Sequence, residues 1–558
     1  MNEKFDIEEL APWFVAFITL VGGGLRVLLL AKNGLWLDEA FSVWLVNHRV
    51  ADMLEWIIRI DSHPPLYYLL LHSWVALKGD TPYYTRLLSA LFGIATIPVI
   101  YLIGKRMSGA MVGLSAAVLL AFSTFNIFYA QEARMYTLLM FNASVAIYAL
   151  VRLLTDPRSA MPIGSQFRDY LHAWRTGEPI EPDTKNDFSY KIKSPQTGWR
   201  AWFYRHRWSP IEIVETDMAW VVFIMFSAAT LLTHNTAVFF PIATNIFVLS
   251  LMLYQRTRGD GFQTALQPPS FGNWVKAHIG IFLLWSPWLV PFIRQTSRVT
   301  QEFWLPKPTW ETITQTLRML LNASAPTQAS QIMTWVLYAV LCLGLIYYRK
   351  QLSMFFFLAA LFAVPVLGEL LVSIRRPIFL DRTLIWITIP LLLLLAAGIA
   401  QFRFRFLMVI ALGILGANYL FADGDYYRFY QKEDWSTAAG YVANFAEPDD
   451  LVLFNSNFVV IPFEYYFGEY EKLYSIQVVK QGVPLDLFDS GILEPKMTES
   501  DIPSLVSMIG GYDRVWLVYS HDDYTDPEGL IPQTLAAHMK LLRERNFYGG
   551  KVQLYEVP

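Results

Sequence analysis

Four short clusters of acidic, basic, histidine and tyrosine side chains stand beside long apolar runs in this chain. Charge near a bilayer costs free energy, so each cluster calls for a reason. The first is Trp36-Leu37-Asp38-Glu39-Ala40. Its adjacent carboxylates suit a general base, which must reach the proton it removes with a pKa set by its surroundings. They would equally bind a cation, or cap the helix that the run Ala40–Trp56 predicts. The second is Asp61-Ser62-His63-Pro64-Pro65-Leu66-Tyr67-Tyr68, with His72 further on. The proline pair imposes an extended entry into a helix. His63 and the Tyr67 hydroxyl suit a phosphate or a sugar hydroxyl; an interfacial helix with polar tips is the plainer account. The third is Tyr129-Ala130-Gln131-Glu132-Ala133-Arg134-Met135-Tyr136. Glu132 and Tyr136 share a helical face, and the planar fork of Arg134 matches a phosphate, although Glu132 and Arg134 would also simply pair across a tight turn. The fourth, Arg375-Arg376-Pro377-Ile378-Phe379-Leu380-Asp381-Arg382, sets Arg376 and Arg382 where an anionic ligand or ion pairing with Asp381 would hold them. His234-Asn235 is a weaker candidate, for which a satisfied polar turn is explanation enough.

The elements that must position these groups are membrane helices. Of 558 residues 54% are hydrophobic and 16% charged, against about a quarter charged in soluble domains. Runs near the roughly 20 residues needed to cross a bilayer predict about eleven spans. They begin near Ala11–Ala31, Arg86–Tyr101, Val112–Phe128, Tyr136–Leu153, Ala219–Thr233 and Ala237–Tyr254. Ile279–Phe292, Met333–Tyr348, Met354–Val372, Leu384–Ala400 and Phe406–Phe421 complete the set. His63–Lys78 is too short and proline-led to span, and is expected as an interfacial or re-entrant helix. With the N-terminus inside, Lys105-Arg106, the basic stretch Arg152–Arg207, Arg256, Arg349-Lys350 and Arg403 all fall in inner loops, as the positive-inside rule asks. The four clusters then fall on the outer face. The acidic N-terminus lacks a small-residue cleavage site, so the first run is expected to stay as a span.

The inner loop at about 155–215 carries Trp199, Arg200, Trp202, Arg205 and Arg207, as a segment lying on an anionic membrane surface would; a mobile connector is the alternative. Residues 1–428 are read as the membrane domain and 429–558 as a soluble outer-face α/β domain. In the latter, helices at Trp435–Phe445 and Thr534–Asn546 alternate with β-rich runs Leu451–Phe454, Leu473–Val479, Arg514–Tyr519 and Val552–Val557. That alternation predicts a mainly parallel sheet. No Gly-rich phosphate loop follows a strand. The net charge of −3 gives no reason to expect nucleic acid. Cys342 is alone, which excludes a disulfide framework and a cysteine metal site.

The motifs Trp36-Leu-Asp-Glu-Ala, His63-Pro-Pro-Leu-Tyr-Tyr, Arg86-Leu-Leu-Ser-Ala-Leu-Phe-Gly and Tyr129-Ala-Gln-Glu-Ala-Arg-Met-Tyr, in that order, resemble the GT-C superfamily of membrane glycosyltransferases. The nearest members are similar to bacterial protein O-mannosyltransferases and aminoarabinose transferases. The match is specific over about Leu35–Met140 and loose afterwards, resting on Trp285-Ser-Pro-Trp and Arg376–Arg382. The segment after Glu433-Asp434-Trp435 looks like a tail of some bacterial members. The resemblance implies a polyprenyl-phosphate sugar donor, hexosyl or pentosyl, with inversion at the outer face of a bacterial cytoplasmic membrane. Asp38 then takes the place of the catalytic aspartate, with Glu39 as its acidic neighbour. His63 falls where protein mannosyltransferases carry histidine before the proline pair. Tyr136 stands where many relatives are acidic, which shifts a second carboxylate role to Glu132. Arg134, Arg376 or Arg382 would hold the leaving phosphate.

No cofactor is required by the sequence, and no ligand spacing demands a metal, although a divalent cation between Asp38, Glu39 and a donor phosphate fits the chemistry. The acceptor is a lipid, a glycan or a protein, among membrane lipids. The competing functions are a lipid-linked-sugar flippase, which tends to show paired interrupted helices and internal repeats, and a non-catalytic envelope scaffold. Neither transporter feature is legible.

Overall fold

A computed structural model describes residues 7–61, 63–176, 215–258, 264–298, 306–321, 328–402, 404–490, 492 and 495–558. Among these, eight helices are long and apolar enough to cross a membrane, nine if one bent pair counts as a span. The chain is thus a multi-pass membrane protein. Each of the eleven expected runs is helical; the two that fall short are Glu215–Leu231, at 17 residues, and the apolar helix Ile332–Tyr348. The segment expected to be interfacial is the 13-residue helix α4 (Leu66–Lys78). At the other end of the bundle, Ser165–Thr176 in the inner loop is a helix. Its first amides donate to Asp217 (Phe167 N to Oδ2, 3.0 Å). Trp199, Arg200, Trp202, Arg205 and Arg207 lie outside the described residues.

The helices that carry the site are α1 (Ile7–Val27), α2 (Leu37–Val46), α5 (Pro82–Ser108), α6 (Ala110–Ala121), α7 (Thr124–Ala130) and α8 (Tyr136–Leu154). Helix α5 opens with Pro82 in its first turn, where the missing N–H costs nothing. It reverses into α6 at Gly109, whose φ of +93° a side chain would disfavour. The hairpin packs closely: a Cβ on Gly113 would sit 2.5 Å from the Tyr101 carbonyl oxygen. Small residues let helix backbones approach where lipid supplies no hydrophobic drive.

Helices α6 and α7 meet at a 58° bend and together are long and apolar enough for one span. The break leaves the Leu120 carbonyl a long backbone bond from Ser123 N at 3.3 Å and the Ala121 carbonyl beyond the helical ladder. Arg26, fully buried in α1, fills that need: Nη1 donates to Ala121 O and Nη2 to Leu120 O, both at 2.9 Å. Thr124, at the start of α7, donates to Asp423 Oδ1 at 2.6 Å. This single interrupted span was not legible in the sequence; among the described residues it has no matching second one. Its function is to turn the chain so that residues 131–135 form a tight connection at the bundle end.

The first outer run does not continue to Trp56. It breaks at Asn47-His48-Arg49 into α2 and α3 (Val50–Arg59). The C-terminal domain differs from expectation in three ways. Its sheet has strand order β2-β1-β3-β5-β4, with β1 (Leu451–Phe454), β2 (Val479–Gly482), β3 (Arg514–Tyr519), β4 (Lys540–Phe547) and β5 (Gly550–Glu556). Only the β1–β2 and β1–β3 pairings are parallel, and β3–β5 and β4–β5 are antiparallel. The residues expected as one helix, Thr534–Asn546, divide into the end of helix Leu530–His538 and strand β4. Leu473, read as strand, ends helix Val460–Tyr474. Tertiary pairing with β5 decides β4, whose alternating charges have no helical stripe.

This domain shares a core with α2. Leu35, Ala40 and Val43 pack with Trp435, Val442, Phe463 and Phe467. Tyr466 fixes the approach by accepting from Leu35 N at 2.6 Å.

Arg26→Leu should lower the thermal midpoint in detergent by orphaning the Ala121 carbonyl, worth about 1–3 kcal/mol when left unmet, and by leaving Leu120 O the long 3.3 Å bond from Ser123 N. A midpoint unchanged from wild type would show that the bent span does not depend on that cap.

Candidate active site

Span one ends, α8 begins, Glu215–Leu231 ends and the segment Asp381–Ile399 begins at the same end of the bundle. Their termini bring together Asp38, His63, Arg134, Tyr136, His234 and Arg382. Asp38 sits in the first turn of α2, not at its N-cap, which is Trp36. The capping contact comes from Glu39, whose Oε2 accepts from Trp36 N at 3.5 Å. Asp38 is thereby released from the helix-capping role and faces two guanidinium groups. Arg382 Nη1 lies 3.2 Å from its Oδ2 and Arg134 Nε 3.9 Å. Arg134 is otherwise anchored by Nη1 donating to Asp38 O at 3.2 Å, Ser42 Oγ at 3.3 Å and Tyr68 OH at 3.4 Å. Its Nε is buried without a hydrogen-bond acceptor.

Access separates the members. The Asp38 side chain is 26% exposed, Arg382 22% and His63 16%, whereas Arg134 is 4% and Glu39 0%. The first three therefore front the cleft and the others back it. Burial pushes the Asp38 carboxyl up, but Arg134, Arg382 and His63 outweigh it and hold its pKa below the ordinary value. It stands ionised at neutral pH.

His63 Nδ1 donates to Asp61 Oδ1 at 2.7 Å, and its ring meets His234 edge-on at 5.1 Å. That pairing aims the other ring nitrogen away from Asp61. Asp61 was quoted in the sequence motif but not singled out; it orients the imidazole. His234 caps the turn Asn235–Val238 through Nδ1, which accepts from Thr236 N at 3.2 Å. Its role is thus at least partly the polar turn foreseen for it. Tyr136 is buried with the Arg382 guanidinium 5.7 Å over its ring, a cation–π contact that fixes the arginine. Tyr67 is one layer behind, its hydroxyl 2.9 Å from Ser89 Oγ, which in turn donates to Arg134 O at 3.0 Å.

Two candidates separate from this cluster. Arg376 donates to Thr296 O at 2.7 Å, and no contact joins it to Asp38. Asp381 is not the partner of the arginine side chains: it accepts from Arg382 N at 2.8 Å and Tyr129 OH at 3.0 Å. His72 turns to Val46 O at 2.7 Å.

Glu39 belongs to a second, buried group. Arg86 grips it with Nε at 2.8 Å from Oε1 and Nη2 at 2.6 Å from Oε2. Ala133 N donates to Oε1 at 2.9 Å, and Lys432 Nζ lies 3.1 Å away. Burial pushes Glu39 up, but Arg86 and Lys432 overcome it and hold the carboxyl at about 2. Glu132 has its cation further off, Lys432 at 3.7 Å. Burial dominates there and raises it to about 7. Sequence reading missed Lys432; the only signal was its place beside the Glu433-Asp434-Trp435 motif. A cation bridging Asp38 and Glu39 does not fit, because the two side chains diverge and Glu39 is occupied by Arg86 and Lys432. Among the described residues no group of three His, Cys, Asp or Glu gathers as a metal site.

Comparison with known proteins is consistent with this arrangement. A family model described as dolichyl-phosphate-mannose-protein mannosyltransferase matches residues 62–164, which include His63, Arg86, Glu132 and Arg134 but not Asp38. No curated protein sequence matches. Among solved structures, the chain is similar to ArnT from Cupriavidus metallidurans in the apo state, with 12% identity, 98% of both chains covered and a TM-score of 0.56. The same protein bound to undecaprenyl phosphate aligns at a TM-score of 0.52. The archaeal oligosaccharyltransferase AglB from Archaeoglobus fulgidus, in complex with an inhibitory peptide and a dolichol-phosphate, aligns at 0.51, with 10% identity, 98% of this chain and 74% of that one covered. Over 98% of its length the chain shares the fold of ArnT and AglB.

The raised Glu132 gives a pH signature. A carboxyl higher in the folded than in the unfolded chain costs stability as pH climbs from its ordinary 4.5 to about 7, by up to about 3 kcal/mol. Glu132→Gln should flatten the decline in thermal midpoint over that window. A slope identical to wild type would mean that Glu132 does not titrate there.

Proposed function

We propose that this chain is a membrane glycosyltransferase that moves a sugar from a polyprenyl-phosphate donor to an acceptor hydroxyl, with inversion, at the outer membrane face. The observation that carries the reading is the charge arrangement at Asp38. Asp38 is faced by two guanidinium groups, Arg134 and Arg382, with the Asp61–His63 pair beside them, so two fixed cations are at hand for the negative charge of a sugar phosphodiester. Arg382, 22% exposed, is the guanidinium open to that phosphate, and the buried Arg134 adds its charge from behind. ArnT with undecaprenyl phosphate and AglB with a dolichol-phosphate are bound structures of the same fold, and on this reading the present chain takes the same class of lipid.

The chemistry follows from the groups present. The acceptor hydroxyl loses its proton to Asp38 as its oxygen attacks the anomeric carbon, and the bond from that carbon to the phosphate oxygen breaks. The electron pair leaves with the lipid phosphate, which gains negative charge as it departs. Arg382 and Arg134 neutralise that charge where it develops, which is the larger part of such catalysis. A low-pKa carboxylate suffices as base because the transition state is oxocarbenium-like and the hydroxyl becomes acidic as the bond forms. His63, steadied by Asp61, adds a donor to phosphate or sugar. One displacement with base and leaving group on opposite sides inverts the anomeric centre. Tyr136 fixes Arg382, and Glu132 and Glu39 act from behind the cleft.

Orientation rests on charge. Helix α5 carries Arg86 at the site end and Lys105-Arg106 at the other; α8 has Tyr136 at the site end and Arg152 at the other. Lys105, Arg106 and Arg152 thus stand at the far end, and the positive-inside rule assigns that end to the cytoplasm. A bacterial inner membrane, with the C-terminal domain outside, is the compartment this implies.

Asp38→Asn should reduce transfer by about 10²–10⁴-fold while expression and membrane insertion persist. The assay is purified protein with a panel of polyprenyl-phosphate sugars and membrane extract, with the product identified by mass spectrometry. Normal turnover by this variant sinks the mechanism. Turnover of donor by the purified wild type excludes both the flippase and the scaffold. Arg382→Gln should impair donor use far more than Arg376→Gln, because Arg376 is committed to the Thr296 carbonyl; equal losses would overturn the assignment.

A further inference from the structure

The C-terminal domain reaches the Asp38 cluster through two residues just ahead of its first helix, Trp435–Phe445. The Lys432 side chain is 4% exposed, with Nζ 3.1 Å from Glu39 Oε1 and 3.7 Å from Glu132 Oε1. It also lies 3.5 Å from the Gln131 carbonyl and 5.9 Å from the Trp36 ring centre. Its neighbour Glu433 accepts from Leu37 N at 3.1 Å and Trp435 Nε1 at 2.7 Å through Oε2. Its Oε1 stands 3.2 Å from His521 Nε2.

These contacts fall on two elements that the chemistry requires in register. Leu37 N–H is one of the donors that the first turn of a helix cannot satisfy internally, and that turn carries Asp38. Glu433 meets it from the far end of the sequence, with a carboxylate at the favourable pole of the α2 dipole. Glu132 belongs to the turn that carries Arg134, and Glu39 to α2. Arg86 is committed to Glu39 by two bonds. Lys432 is therefore the cation that joins the two carboxylates, one from each element. Without it two buried carboxyl groups would face each other across the junction, and the turn would lose its electrostatic tie to α2.

We propose that Lys432 and Glu433 form a clamp through which the C-terminal domain sets the Asp38–Arg134 geometry, so that both are positioning residues for the transfer step. The consequence for rate rests on the transferase reading; the clamp itself rests on geometry alone. The outer domain is on this view an obligatory part of the catalytic unit.

The test uses the full chain in detergent, with Lys432→Met, Lys432→Arg and Glu433→Gln. Amide hydrogen exchange across 131–136 should accelerate in Lys432→Met, while the β1 and β3 strands keep their protection. In the transfer assay kcat should fall about a hundredfold, the scale of a misplacement of about 1 Å. KM for the donor should change little, and Lys432→Arg should regain most of the rate. Glu433→Gln should show the same split, with exchange raised in the first turn of α2. Unchanged exchange at 131–136, or raised exchange with wild-type kcat, overturns the clamp. A loss of rate matched by loss of protection in β1 and β3 overturns it too, since that is simple unfolding. If exchange rises as expected but wild type transfers no sugar from any donor, the clamp stands and the transferase reading falls.

Discussion

Burying ionised groups at the end of a helical bundle is the constraint on which this molecule is built. A lone buried carboxylate would shed its charge or destabilise the fold. Here Glu39 keeps its charge because Arg86, Lys432 and the Ala133 amide surround it. Those partners come from three different stretches, α5, the turn before α8 and the junction to the C-terminal domain, and they meet on α2. The ion cluster consequently works as a registry device. It fixes where α2 stands relative to the turn of Glu132 and Arg134, and so where Asp38 stands relative to its two arginines.

The adjacent carboxylates Asp38 and Glu39 take opposite fates for a geometric reason. Neighbouring positions on a helix point about 100° apart. One is turned to the cleft and keeps partial exposure, and the other is turned inward and is fully covered. The same division runs through the arginines. Arg26 and Arg86 spend their donors on backbone carbonyls and on Glu39. Arg134 and Arg382 face Asp38. Arg382 is the exposed member of that pair and Arg134 the buried one, and Arg86 holds α2, which carries Asp38, through its two bonds to Glu39.

The C-terminal domain gains a specific meaning from this. Its mixed sheet carries no phosphate loop, and its core extends through Leu35, Ala40 and Val43 onto α2. It grips one face of that helix while the membrane domain holds the other. A helix of ten residues has little stability of its own, so its orientation is decided by the two bodies between which it lies.

The sequence by itself determined the membrane character, the helical runs, the change to an α/β domain and the four clusters, because apolar run length and charge placement are local properties. The site was legible as far as the residue types: Asp38, His63, Arg134 and Arg382 were chosen as charged groups beside spans, and they do converge. Which charges would be paired, and with whom, was not legible. The grip of Arg86 on Glu39, the entry of Lys432, the diversion of Arg376 to Thr296 and the capping of Trp36 by Glu39 all join or reorient residues through contacts the chain order does not encode. The bend at Phe122 and the antiparallel half of the sheet were hidden for the same reason, since a cap from Arg26 and a strand partner in β5 lie far away in sequence. Tertiary structure decided the roles, because the free energy of a charge depends on its surroundings, and those surroundings are assembled only when distant segments meet.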